Sequence, residues 1–307
     1  MNITITKEEM LDGMHKMNSF GTRLTGSKGH TDFINWLKDE ISKMGIPIFS
    51  DPFYFRRWEE KNSSIEIIDG DKEINIPVSS AYPYSGETTP DGITEELVYV
   101  EKLSDIKKTT GKIAVFDISN VNFIPSEIAF DKRTSYPEDV VLEKKYEGPV
   151  ITSFVQCFYG IVSKLSKAKA VILIWKGLHD DCIEGQYLSF IADYQKIPML
   201  WVNETNGKKI VEAAKEHKKA KFVLEAQIEE NAFTESFYCI INGKNPKENV
   251  IVNTHTDGTN CVEENGPIAL LQLMKNLKNQ ELERTHIFVF TTGHFRLPHF
   301  EDIRTGA

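Results

Sequence analysis

Two short stretches of the sequence, HTDGTNCVEENGP and TTGHF, contain side chains that bind divalent metal ions. Imidazole nitrogens and carboxylate oxygens are the ligands found, with cysteine, in protein zinc sites. The candidate ligands and their supporting groups are His255, Asp257, Glu263, Glu264 and His294. Their spacing alone also fits a simpler interpretation, because Asp257-Gly258 is a turn signal and the two glutamates precede a predicted helix.

The elements around these residues are predicted to be a strand, a helix and a strand. Residues 249–254 (NVIVNT) form an apolar strand, residues 266–279 (GPIALLQLMKNLKN) a helix with one apolar face, and residues 284–293 (RTHIFVFTTG) a further strand. Two near-continuously apolar strands joined by a helix indicate a buried parallel α/β sheet. The C-terminal ends of parallel strands lie at one edge of the sheet, where ligands bind. We therefore expect His255 and His294 to be close together.

The pair His255 and Asp257 has a spacing that suits a supported metal ligand. Residues two apart on an extended chain point to the same side, and a carboxylate beside a ligating imidazole fixes its tautomer. Glu263 and Glu264 can coordinate a cation, or can simply favour the helix N-terminus that follows. His294 is either a ligand, a general base or a loop histidine.

The whole chain divides into three parts by composition. Residues 1–57 contain a predicted helix in SKGHTDFINWLKDEISKMG, with Ser27 or Thr31 as N-cap and Gly45 after its end. Residues 58–230 are rich in β-type alternation, with a hairpin predicted at Asp69-Gly70. Residues 231–307 contain the strand–helix–strand unit with the candidate site.

Composition excludes several classes of partner. The chain has a net charge of −9 and no long basic run, so nucleic acid is not an expected partner. No apolar stretch reaches the roughly 20 residues needed to span a bilayer, so no membrane contact is expected. The N-terminus lacks the features of a secretory signal. The four cysteines show no metal or disulfide spacing, which favours a cytoplasmic protein.

The other candidate groups have simpler interpretations. No nucleophile elbow and no phosphate-binding loop is present. His179, Asp180 and Asp181 are predicted to lie in an exposed acidic loop, and Cys261 is predicted to be a buried or half-buried thiol. The last group, predicted to be surface histidines, consists of His15, His30 and His217.

Four segments, in order, resemble the co-catalytic zinc aminopeptidases, the twenty-eighth metallopeptidase family. RLTGSKGHTDFINWLKDEISKMG is similar to the N-terminal R-x-x-G-S turn and helix of that family. GKIAVFDI, AKAVILIW and IPMLWVNETNGKKI resemble the protease-associated domain that many members carry as an insert. CIINGKNPKENVIVNTHTDG and ENGPIALLQLMKNL with RTHIFVFTTG resemble the strands and helix around the first zinc ligand.

This resemblance implies a partial zinc-peptidase-like α/β sheet domain with a β-rich, protease-associated-like insert over 58–230. It implies one or two zinc ions, with His255 as first ligand and Asp257 as its support. The family has a bridging aspartate where this chain has VEENG, so Glu263 or Glu264 would have to bridge. It has Gly-Glu-Glu where this chain has GHF, which places His294 at the general base and Phe295 at a ligand position.

Two functions therefore remain open. The first is a metal-dependent hydrolase of the aminopeptidase type that acts on peptide substrates. The second is a non-catalytic homologue, or a fragment, that binds peptide or protein through the insert; the altered VEENG and GHF motifs favour it. Family members continue past this strand with a later aspartate and histidine, so we expect either a fragment or a truncated protein. The insert in such proteins caps the active site or mediates dimers, so a homodimer is a further expectation.

Overall fold

The computed structural model describes residues 4–118, 167–176, 194–259 and 264–294. In chain order, the elements are α1 (Lys7–Asn18), α2 (Lys28–Lys43), β1 (Ile48–Asp69), β2 (Lys72–Ile76), β3 (Ser80–Ala81), β4 (Ile93–Tyr99), a 3₁₀ helix (Leu103–Thr109), β5 (Ile113–Ile118), β6 (Ala170–Trp175), β7 (Met199–Asn203), α3 (Glu204–Lys215), β8 (Lys219–Ile241), β9 (Asn245–His255), α4 (Gly266–Leu277) and β10 (Arg284–Thr291).

The described residues form two compact units. The first unit contains the chain up to Glu59 and from Gln227 onward, and the second contains the described residues between Glu60 and Ala226. Both boundaries fall inside long strands, since β1 and β8 each contribute residues to the two units. The assignment of the second unit as a protease-associated insert stays a prediction.

Two N-terminal helices belong to the first unit. Helix α1 begins with a capping box, in which the Thr6 hydroxyl accepts from the Glu9 backbone N–H and the Glu9 carboxylate accepts from the Thr6 N–H; this motif satisfies donors that a helix start leaves open. The predicted helix α2 is confirmed. Its N-cap is Ser27, whose Oγ accepts from the His30 backbone N–H over 3.2 Å, and Gly45 follows its end with a φ of +73°.

The sheet of the first unit contains β9 and β10 in parallel and β10 and β8 antiparallel. The parallel pairing predicted from the strand–helix–strand pattern is confirmed for β9 and β10, whereas β8, which precedes β9 without an intervening helix, adds an antiparallel strand. The prediction that residues 249–254 are buried is wrong, because Ile251 on β9 is 68% exposed. Among the strands that the structure describes, β9 pairs only with β10, which leaves its apolar side chains less covered.

Both α2 and α4 bury one face in the core of this unit. The apolar spacing that predicted the helices is the spacing of their buried residues, because positions three or four apart share a helix face. The core side chains from these helices are Phe33, Ile34, Leu37 and Ile41 of α2 and Ile268, Leu271, Met274 and Leu277 of α4. Phe237 of β8 and Phe290 of β10 stack within the same cluster, with ring centroids 4.6 Å apart.

The second unit is also a mixture of strands and helix. Strands β4, β5, β6 and β7 run parallel in that order, and β3 pairs antiparallel with β7. The strands β5, β6 and β7 coincide with the predicted apolar stretches GKIAVFDI, AKAVILIW and IPMLWVN. Tyr82 and Trp201 stack in its core, with ring centroids 6.0 Å apart.

The predicted hairpin is present between β1 and β2. Asp69 pairs with Lys72, so the loop consists of Gly70 and Asp71, one residue later than the prediction. Gly70 has a φ of +61°, a conformation that glycine adopts without steric cost.

Across the described ranges, none of the helices combines the length and the apolar composition needed to span a bilayer.

Candidate functional site

The candidate site lies where the parallel strands β9 and β10 end. His255 is the last residue of β9 and is paired in register with Thr291, the last residue of β10. His294 follows shortly after β10. The ring centroids of His255 and His294 are 4.3 Å apart, with 44° between the ring planes. The structure therefore brings together the two histidines that the strand pattern placed at one edge of the sheet.

The orientation of the His255 ring is set by the residue two positions later. Its Nδ1 lies 2.8 Å from the backbone carbonyl oxygen of Asp257. Because a carbonyl only accepts, Nδ1 carries the proton, and in a neutral ring Nε2 is then the nitrogen that can bind a metal ion. The Asp257 carboxylate is near the same nitrogen, with Oδ1 at 3.8 Å from Nδ1, which is beyond hydrogen-bond distance.

Asp257 is fully buried, with 0% of its surface exposed. Its Oδ2 accepts a hydrogen bond from the hydroxyl of Thr25, 2.5 Å away. A buried carboxylate is stable only when such donors replace the water it has lost. Thr25 lies in the turn between α1 and α2, so a segment far away in the sequence contributes directly to the site.

The same turn contacts the residues on each side of Asp257. Arg23 and Gly258 form a two-way backbone bridge, with the Arg23 N–H donating to Gly258 over 2.7 Å and the Gly258 N–H donating to Arg23 over 2.9 Å. The ring of His30 hydrogen-bonds to the Thr256 hydroxyl over 2.8 Å. Three consecutive residues after His255 are thus each held by one residue of the turn or of the start of α2.

The prediction that His30 is a surface histidine is wrong, because the side chain is 0% exposed. Its Nδ1 accepts from the backbone N–H of Gly26, so its Nε2 carries the proton and donates to Thr256. Thr256 in turn donates to the carbonyl of Thr291. Burial lowers the pKa of His30 to about 4, against the opposing effect of the Asp257 carboxylate. His30 is therefore a neutral ring that bridges α2 and the end of β9.

Glu264 packs against Gly258. It is 1% exposed, and its carboxylate accepts from the backbone N–H of Thr259 over 3.0 Å. A Cβ atom on Gly258 would lie 1.9 Å from the Glu264 Cγ, so only glycine fits between the two. The described contact of the Glu264 carboxylate is thus to the loop backbone.

The remaining predicted positions lie outside the described residues or on the surface. Glu263 and Cys261 lie outside the described residues, as do His179, Asp180 and Asp181. His15 is exposed, as predicted. His217 is also exposed, with 82% of its side chain accessible, and it contacts Glu96 of the second unit.

The donor set fits a zinc ion only in part. His255 and His294 offer two adjacent imidazoles, which are common zinc ligands. Within the ranges that the structure describes, no group of three or more His, Cys, Asp or Glu side chains is arranged to hold a metal ion. A protein zinc site uses at least three side-chain ligands. The two rings therefore fit two ligand positions.

Thr25 and His30 are site residues that the sequence analysis did not identify. The R-x-x-G-S resemblance included the turn that carries Thr25, and HTDG included Thr256. Nothing in either stretch indicated that Thr25 would contact Asp257 or that His30 would contact Thr256, because these contacts depend on how α2 packs beside the end of β9.

The fold is shared with known peptidases. The chain aligns with BSAP, a zinc aminopeptidase from Bacillus subtilis, at a TM-score of 0.64 and 15% identity, covering 95% of this chain and 63% of that one. It aligns with an aminopeptidase from Aneurinibacillus sp. strain AM-1 at a TM-score of 0.59 and 15% identity, covering 94% and 62%. It also aligns with a Peptidase M28 precursor from Shewanella amazonensis SB2B, at a TM-score of 0.61 and 15% identity, covering 92% of this chain and 63% of that one.

Sequence comparison adds no further relative. No protein-family model matches the chain, and no curated protein is similar in sequence. The chain spans less than two thirds of the length of the three structures above. At this level of identity the likeness concerns the fold, and the fold expected from the resemblance is confirmed: the chain has the α/β fold of the M28-type zinc aminopeptidases.

Proposed function

We propose that the protein is a metal-dependent hydrolase of the aminopeptidase type, acting on peptide bonds near an N-terminus. The observation that supports this most directly is the contact between the His255 and His294 rings at the ends of β9 and β10. In α/β sheets this edge is where ligands bind. The aminopeptidase fold supports the choice of peptide as substrate.

In this proposal His255 is a metal ligand through Nε2, since its Nδ1–H donates to the Asp257 carbonyl. Asp257 supports that ring from a fully buried position. His294 is either a second ligand or the general base. Glu263, or Glu264 after release from the Thr259 N–H, supplies a carboxylate ligand.

When bound, a zinc ion polarises a substrate carbonyl and lowers the pKa of water. The protein's own contribution is to hold the imidazoles in one orientation. The His255 tautomer is fixed before any ligand arrives, which avoids the reorganisation that a freely rotating ring would need. The rings lie at the end of a rigid sheet, where their positions are set by the register of β9 and β10.

Metal binding and hydrolysis can be tested on the same preparations. Protein stripped of metal and reloaded with zinc is compared with His255→Ala, His294→Ala and the control His286→Ala. His286 lies near the other end of β10, where its Nδ1–H donates to the Arg284 carbonyl. Elemental analysis measures bound zinc, and aminoacyl-anilide hydrolysis is measured with and without chelator. We expect zinc in the wild type and in His286→Ala, with chelator-sensitive turnover.

The variant results decide whether His255 belongs to the site. Replacing His255 or His294 should weaken zinc binding by at least about tenfold, because the removal of groups that only support a ligand already lowers metal affinity about 10–100-fold. Equal zinc retention by His255→Ala and wild type would remove His255 from the proposal. Turnover that survives the chelator, or no turnover with zinc bound, would argue against a metal-dependent peptidase.

A second function is favoured by one specific observation. No metal-binding group of three side chains is present in the described parts of the chain, and the sequence has VEENG and GHF in place of the family's motifs. A non-catalytic homologue would bind peptide or protein through the second unit. It would bind peptide equally with and without zinc, and His255→Ala would leave that binding unchanged.

A further inference from the structure

The turn between α1 and α2, together with the start of α2, contacts every residue from Thr256 to Gly258. His30 donates to the Thr256 hydroxyl, Thr25 donates to the Asp257 carboxylate, and the Arg23 backbone pairs with Gly258. All three residues are buried, with exposures of 0%, 1% and 1% for His30, Thr25 and Arg23. These contacts hold the segment that immediately follows His255.

The most consequential of these contacts is the one on the Asp257 carboxylate. Oδ2 accepts from Thr25, while Oδ1 lies 3.8 Å from the His255 Nδ1. Without the Thr25 hydroxyl, the buried Asp257 carboxylate loses a donor and must shift to regain one. Because the backbone carbonyl of Asp257 orients the His255 ring through a 2.8 Å hydrogen bond, that shift would also move the ring.

His30 acts on the same segment from the other side. Its ring bridges Gly26 and Thr256, and Thr256 continues the chain of hydrogen bonds to the Thr291 carbonyl at the end of β10. The ends of β9 and β10 are thus tied to each other and to α2 below the two candidate ligands. Any shift of Thr256 would move His255 relative to His294.

From these contacts we infer that Thr25 is a positioning residue that keeps the His255 Nδ1–H on the Asp257 carbonyl, with His30 as its structural partner. This inference rests on the proposed function only in naming His255 as a ligand. The orientation of the ring exists without a metal ion and can be measured without one. Thr25 lies 232 positions before Asp257 in the chain, so no local motif indicates this role.

The test compares Thr25→Val, which keeps the shape and removes the hydroxyl, with Thr25→Ser, which keeps the hydroxyl. The matched control is Thr285→Val, because Thr285 is another buried threonine whose hydroxyl accepts one backbone hydrogen bond, from Gly243. Near-ultraviolet circular dichroism establishes that each variant is folded. A His255→Gln spectrum assigns the His255 signals.

The first measurement is a long-range ¹H–¹⁵N correlation spectrum of metal-free protein, above the pKa of about 6.5 of an ordinary imidazole. We expect the Nδ1–H tautomer of His255 in the wild type, Thr25→Ser and Thr285→Val, and a changed ¹⁵N pattern in Thr25→Val. A His255 pattern in folded Thr25→Val identical to wild type would overturn the inference.

The second measurement is zinc affinity, by competition with a chromophoric chelator. Thr25→Val should bind zinc about 10–100-fold more weakly than wild type, the range for groups that orient a ligand, and Thr25→Ser should restore it. Equal affinity of all variants would also overturn the inference. If the wild type binds no zinc while Thr25→Val still changes the ¹⁵N pattern, the proposed function fails and the positioning role of Thr25 is supported.

Discussion

The ring of His30 donates a hydrogen bond to the hydroxyl of Thr256 over 2.8 Å, although 226 positions separate the two residues. This contact joins the start of α2 to the end of β9, immediately beside His255. A neutral imidazole is required, because Nδ1 is already occupied as an acceptor for Gly26. Protonation of the buried His30 would therefore disturb the hydrogen bonds that hold Thr256 beside His255.

Acid should destabilise the protein through His30. Its pKa in the folded state is about 4, below the value of about 6.5 in the unfolded chain. The unfolded state therefore binds the proton more readily, so stability is lost as pH falls from about 6.5 towards 4. The difference between the folded and unfolded pKa of His30 corresponds to about 3 kcal/mol of unfolding free energy. Urea unfolding across this range should show a shallower loss for His30→Asn than for wild type.

The exposed residue His15 provides the control for that measurement. His15→Asn should keep the wild-type slope of stability against pH, because its side chain lies on the surface of α1. Parallel slopes for His30→Asn and wild type would show that His30 does not carry the pH dependence.

Adding a methyl group at Gly258 should disrupt the loop beside His255. The new Cβ would lie 1.9 Å from the Glu264 Cγ, so the buried Glu264 must move and its bond to the Thr259 N–H must break. We expect Gly258→Ala to lower the free energy of unfolding by about 1–3 kcal/mol, the usual cost of overpacking. Chemical denaturation measures this loss.

Gly21→Ala separates that steric effect from backbone strain. Gly21 has a φ of +71° and open space around it, so the alanine adds strain without a clash. Gly21→Ala should lower the free energy of unfolding by about 1 kcal/mol and leave zinc binding unchanged. Gly258→Ala should lower the free energy of unfolding and also weaken zinc binding. Wild-type zinc affinity in Gly258→Ala would separate this loop from the metal site.

The thiol of Cys239 should be inert in the folded protein. It is fully buried in β8, and burial raises its pKa to about 12, so the reactive thiolate is scarcely populated at neutral pH. In a chain with Cys157, Cys182 and Cys261 replaced by serine, labelling of Cys239 by a thiol reagent should be slow and should accelerate in urea. Rapid labelling under native conditions would contradict the burial of this strand.

Zinc should stabilise the protein if the proposed site is occupied. A ligand that binds only the folded state at 100 times its Kd adds about 2.7 kcal/mol to the free energy of unfolding. Thermal unfolding with and without zinc should therefore show a rise in Tm for wild type and for His286→Ala, and little or none for His255→Ala. An identical rise in all three proteins would place the bound zinc elsewhere.

Local patterns in the sequence predicted the elements that carry the site. The apolar spacing in α2 and α4 predicted both helices, because the same spacing buries one helix face. The apolar stretches before His255 and His294 predicted two adjacent parallel strands, which β9 and β10 are. The direction of the two strands then placed both histidines at the same edge of the sheet. The mixed sheet was not predicted, because the antiparallel pairing of β8 with β10 joins strands that are not consecutive.

The sequence by itself determined the α/β fold class, the helix and strand periods, and the two histidines at the ends of neighbouring strands. Only the tertiary structure decided what holds them. Thr25, His30 and Arg23 reach Asp257, Thr256 and Gly258 because α2 packs beside the end of β9. Periodicity reports which face of an element is apolar, whereas a hydrogen bond between segments more than two hundred residues apart depends on the packed geometry of both. For the same reason His30, a polar residue in the first turn of α2, is a buried and neutral part of the site.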